Sequence, residues 1–167
     1  MLRRRGVIIA AALLFGVGYA HAGWLYKGEA SAFGGAGSQI VLVVNDRYGF
    51  GVRCDGGVVT TIYLTPEEVS EKEFENATAA GTLMVKIDDL APLTADATPD
   101  SADGHLRVSA EFNDDLLNEL KAAKHRVAVA IKLGDRIFHE STFVAQGASK
   151  ALGQFISACP AAAGAKG

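Results

Sequence analysis

The chain reads as a mainly β protein, an antiparallel β-sandwich carrying two main helices. Three observations lead there. Short stretches with alternating or continuous apolar residues recur through the sequence, separated by tight turn signals such as Asp55-Gly56-Gly57 and Gly134-Asp135. Only two regions show helical periodicity, one opening at Asn113 and one spanning Gly147 to Pro160. The only two cysteines, Cys54 and Cys159, stand in a strand-like stretch and in the last helix.

The first 22 residues have the form of a cleavable export signal. Arg3, Arg4 and Arg5 are basic, Val7 to Val17 is apolar, and Ala20-His21-Ala22 is a small-x-small site. Cleavage is expected between Ala22 and Gly23, leaving a domain over 23–160 and a small-residue, flexible tail over 161–167. The apolar run is short for a membrane span, so no insertion is expected after cleavage. The full chain has 16 basic and 19 acidic residues and a net charge of −3. Losing the three arginines leaves 13 basic residues against 19 acidic ones, a net charge of −6. Such a balance, without a basic stripe, argues against nucleic acid and anionic membranes as partners.

Export would place both cysteines in an oxidising compartment, the periplasm or beyond. Two cysteines permit one intramolecular bond, Cys54–Cys159; free thiols or a bond to another chain are the alternatives. The intramolecular bond is the expectation. It would tie the C-terminal helix to the sheet.

Taken in order, Trp24-Leu25-Tyr26 starts a short strand. Ala32 to Ser38 is glycine-rich but lacks the lysine and the following helix of a phosphate loop, and reads as a connection. Gln39 to Asn45 is almost continuously apolar, as in a strand buried on both faces. In Tyr48 to Cys54, Tyr48, Phe50, Val52 and Cys54 share one face. Val58 to Leu64 returns after the Asp55-Gly56-Gly57 turn.

Thr65-Pro66-Glu67-Glu68 has the form of a capped helix start, followed by acidic residues through Glu75 on a solvated face. The Asn76-Ala77-Thr78 sequon is read as chance in a chain with a bacterial-type signal. Thr82 to Asp88 is a strand. Asp89 to Gly104 reads as a mobile acidic loop without the spacing of a calcium loop. His105 to Phe112 is a strand, and Asn113 caps a helix whose Leu116, Leu117 and Leu120 face inward. Val127 to Leu133 and Arg136 to Val144 form a hairpin. In the last helix Ala151, Leu152, Phe155, Ile156 and Cys159 share a face.

No nucleophile motif, metal spacing or cofactor motif stands out. His105, His125 and His139 are scattered. His125 fits a charge at a helix C-terminus. His139 with Glu140 is the one pair available to a periplasmic hydrolase, and the Asp89–Gly104 stretch is what remains for a calcium or small-ligand module.

The early tryptophan, the cysteine pair and the run Thr142-Phe143-Val144-Ala145-Gln146-Gly147-Ala148-Ser149-Lys150-Ala151-Leu152 resemble small proteobacterial envelope proteins. The chain is similar to the type VI secretion-associated VasI-like kind and, more loosely, to invasion-associated locus B-like proteins. It lacks the tryptophan that VasI-like chains often carry after the last cysteine. The resemblance implies a β-sandwich with a disulfide-tied helix and no catalytic residues. The expected function is therefore non-enzymatic binding to another envelope protein.

Overall fold

The structure, a computed structural model, describes residues 23–29, 37–70, 81–113 and 115–159. The signal region, most of the glycine-rich loop, the sequon, Asp114 and the 161–167 tail lie outside the described residues.

Strands β1 (Leu25–Glu29), β2 (Ser38–Asn45), β3 (Tyr48–Asp55) and β4 (Val58–Glu68) run as an antiparallel meander. The β3–β4 turn uses Gly56 and Gly57 at φ 57° and 90°, which side chains with a Cβ rarely adopt. Then come β5 (Gly81–Ile87), β6 (Leu93–Ala102), β7 (His105–Ala110), helix α1 (Asp115–Ala122), β8 (Arg126–Leu133), β9 (Arg136–Val144) and helix α2 (Ala148–Ala158). All nine described strands join one sheet in the order β1-β2-β3-β4-β7-β6-β5-β8-β9, and every pairing among them is antiparallel.

The sheet curls until β2 meets β9. Asn45 Nδ2 of β2 donates to Ser141 Oγ and to the Thr142 carbonyl of β9, both at 2.8 Å. The two layers expected of a sandwich are thus one continuous sheet folded over its core. Alternate residues fill that core: Val41 and Val43, Phe50 and Val52, Leu83 and Val85, Val127 and Val129, with Tyr63 and Phe143. The expectation that β2 is buried on both faces fails on one of them. Val44 is 47% exposed, because no described layer covers the outside of the sheet there.

The two helices pack on each other, and α2 also lies against β1 and β2. Leu116, Leu117 and Leu120 of α1 and Ala148, Ala151, Leu152 and Phe155 of α2 are buried. Burial of Leu152 and Phe155 contributes roughly 1.5–3 kcal/mol each. Gly147 opens α2 at φ 86°, where a Cβ would also crowd the Trp24 backbone, 3.3 Å from its carbonyl oxygen. Cys159, just past the helix, is bonded to Cys54, with the Cα atoms 6.1 Å apart and a sequence separation of 105. The link from helix to sheet is as the sequence leads one to expect.

Two stretches depart from expectation. Thr65–Glu68 continues β4 instead of starting a helix. Pro66 is tolerated because β3 pairing ends at Leu64, so no β3 carbonyl awaits its missing N–H, and the β4–β7 register shifts there. Asp89–Gly104 is no mobile loop, since β6 occupies Leu93–Ala102. Asp103 and Gly104, at φ 52° and 78°, turn β6 into β7. An Asp-Gly pair between extended segments is a strong hairpin signal.

Candidate interaction surface

His139 lies at an irregularity in the β8–β9 register, with φ 49°. Between Ser141↔Val129 and Phe138↔Ile131, β9 carries one residue more than β8, which is a bulge. The bulge turns the imidazole away from Glu140 and towards β4. Nε2 sits 2.6 Å from Glu67 Oε2, in sequence 72 residues away. The imidazole thus pairs with Glu67, and not with the Glu140 that the alternative hydrolase reading would use. The Tyr63 hydroxyl donates to the His139 carbonyl, and Tyr48 stacks on Tyr63 with centroids 5.8 Å apart. Burial first, then Tyr48, pushes the Tyr63 phenol far above its ordinary value, so it stays a donor. No serine or cysteine bonds the imidazole among the described residues. The group latches β9 to β4 and holds a strained backbone in place.

The latch belongs to a longer seam. Carbonyls along the free side of β9 and just beyond it are taken by side chains or loop groups: His139 by Tyr63, Thr142 by Asn45, Val144 by Trp24 Nε1 at 2.9 Å, and Gln146 by the Trp24 amide at 3.1 Å. The early tryptophan and the Thr142–Leu152 run, remote in sequence, thus bond to one another.

The aspartates of the former loop do not converge. Asp88, at φ 49°, accepts the backbone N–H groups of Lys124, His125 and Arg126 at 2.9 Å each. Those bonds, Arg126 foremost, hold its carboxyl down at about 2. Asp100 forms a two-pronged pair with Arg107 across the β6–β7 ladder, at 2.8 and 2.6 Å. Asp89 reaches Arg126, and Asp103 forms the turn. Among the described residues no three His, Cys, Asp or Glu side chains group as metal ligands.

What remains open is the outward face of the sheet. Across β5, β8 and β9 lies an apolar groove of about 190 Å³ lined by Met84, Pro92, Ala128, Ala130 and Ile137, with Lys86 and Glu140 also in its wall. Ile137 is 54% exposed. The sequence signal for this groove is in β8, where apolar residues hold both parities from Val127 to Ile131. Core-facing Val127, Val129 and Ile131 account for one parity only. Beside it, across the Met84↔Thr94 pairing, is a larger polar groove of about 770 Å³.

The class defined by this geometry is a mainly antiparallel β protein with a curled sheet and a helix tied to it by a disulfide. Its fold is similar to that of invasion associated protein B from Bartonella henselae, known from a crystal structure. The likeness has a TM-score of 0.53 at 14% identity, and covers 82% of this chain and 94% of that one. No protein family and no curated protein matches the sequence. The likeness is one of fold, and falls on the invasion-associated side of the expected resemblance; the VasI-like side rests on the sequence motifs alone. No helix among the described residues is long and apolar enough to cross a membrane.

Proposed function

We propose that this chain is an exported, non-enzymatic accessory protein of the bacterial envelope that acts by binding another envelope protein. The observation that carries the reading is the apolar groove over β5, β8 and β9, open on the outside of the sheet and bordered by one charge of each sign. The disulfide fits an oxidising compartment, and the fold likeness to an invasion associated protein points the same way. The signal over residues 1–22, cut between Ala22 and Gly23, supplies the route.

The test is site-specific photocrosslinking from position 137 in cells of the natural host. A discrete adduct is expected, lost when the neighbouring Met84→Glu change fills the groove with charge. Adducts that ignore that change would refute the reading. N-terminal sequencing of the exported chain should begin at Gly23.

A further inference from the structure

The larger groove is a gap in the sheet itself. Strand β7 ends at Ala110, which pairs with Thr61 of β4 on one side and Ala97 of β6 on the other. Past that point the two neighbours continue without it. Among the described residues, Val58–Thr60 of β4 pairs with β3 alone, and Leu93–Asp96 of β6 with β5 alone. Glu111, Phe112 and Asn113 leave the sheet towards α1, and Phe112 packs against the core. Two strands that flank a missing one stand about 10 Å apart, two ladder spacings. The side of each that faces the gap carries backbone N–H and C=O groups without a ladder partner among the described residues.

The walls of the gap carry Thr60, Thr82, Thr94, Thr98 and Ser109, with the carboxylates of Asp96 and Glu111. Among the described residues no lysine, arginine or histidine lines it. None of those hydroxyls, nor Asp96, has a hydrogen-bond partner among the described residues.

We propose that this gap accepts an extended, basic segment of the partner protein, which adds as a strand between β4 and β6 in line with β7. The proposal rests on the protein-binding reading above and specifies how a partner is held. The unpaired ladder groups supply the main-chain bonds of strand addition. The carboxylates select lysine or arginine at positions facing them, and they disfavour a second copy of this acidic chain. The free edge of β6, four residues long, spans about 13 Å, so three to four partner residues would be ordered.

A positional-scanning library of linear hexapeptides, titrated onto the purified, oxidised protein, tests this. Selected peptides should be basic and should slow amide exchange at Leu93–Asp96 and Val58–Thr60. N-methylation of alternate peptide nitrogens should weaken binding at least about tenfold, since it removes ladder donors. The double variant Asp96→Lys, Glu111→Lys should weaken it similarly and leave the melting curve in place.

N-methylated peptides that bind equally well would overturn strand addition, as would protection confined to the Met84–Ile137 groove. So would a library without binders, or a self-dimer that protects the gap. If the gap fails while the position-137 adduct still depends on Met84, protein binding stands and only its mode is wrong. If peptides fill the gap and no such adduct forms, the reverse holds.

Discussion

Two discontinuities of the same sheet have opposite treatments. Along the seam, β9 ends the strand order and its free carbonyls are taken one after another by Tyr63, Asn45 and Trp24. At the β4–β6 gap, two strands lose a neighbour mid-length and no side chain among the described residues substitutes for it. An unpaired strand edge invites another strand unless it is blocked. The seam shows that this chain blocks edges with well-placed donors. The gap shows one that it leaves open, and the difference is why the gap, and not the curl closure, is the proposed place for a partner.

The seam is most severely broken by removing the covalent tie behind it. A Cys54→Ser, Cys159→Ser variant should lose about 2–5 kcal/mol in denaturant unfolding, and proteolysis should begin near Gly147. Parental stability would mean that the helix seats itself without the bond. Next in size is Tyr63→Phe, which keeps the ring and strips the His139 carbonyl of its donor. A cost of about 1–3 kcal/mol is expected, with faster exchange in β9; an unchanged melting point would demote the latch.

A smaller effect tests the acidic stretch outside both regions. The folded Asp88 carboxyl is held at about 2, below its ordinary value of 3.8. Its contribution is therefore present above about pH 4 and is lost as pH falls towards 2. Asp88→Asn should flatten the pH dependence of stability in that window, and an identical slope would contradict the three-bond geometry. The smallest expected change is in function. His139→Ala should leave partner capture within about threefold, because the imidazole meets Glu67 and no nucleophile among the described residues. A large loss in a measured turnover, with the fold intact, would make the chain an enzyme.

Much of this was written locally in the chain. The parity of Tyr48, Phe50, Val52 and Cys54 put the sulfur on the core side, and the spacing of Leu152, Phe155 and Cys159 aimed the last helix at it. The errors arose where tertiary pairing overrode a local signal. Thr65-Pro66-Glu67-Glu68 has the residues of a helix start, yet the β7 ladder keeps it extended. Asp89–Gly104 has the polar composition of a loop because the outward face of β6 is solvated, although Asp103-Gly104 is itself a hairpin signal. The Glu67–His139 contact joins residues 72 apart and depends on a bulge, so no spacing announces it. The gap was less legible still, being the absence of a second neighbour for strand ends that each look complete in sequence.

The position of the disulfide also sets how far the chain can be drawn out under tension. Pulled from Trp24 and Cys159, an uncrosslinked chain of this length could extend to roughly 450 Å. With Cys54 bonded to Cys159, only the residues from 24 to 54 lie in the path of the force, and the reach falls to roughly 100 Å. Everything from β4 to α2 is enclosed in the covalent loop and carries no end-to-end tension. Both grooves lie within that shielded portion, apart from any strain transmitted through β1, β2 and β3. A protein anchored between moving parts of an envelope would keep its binding face in shape while its first three strands gave way.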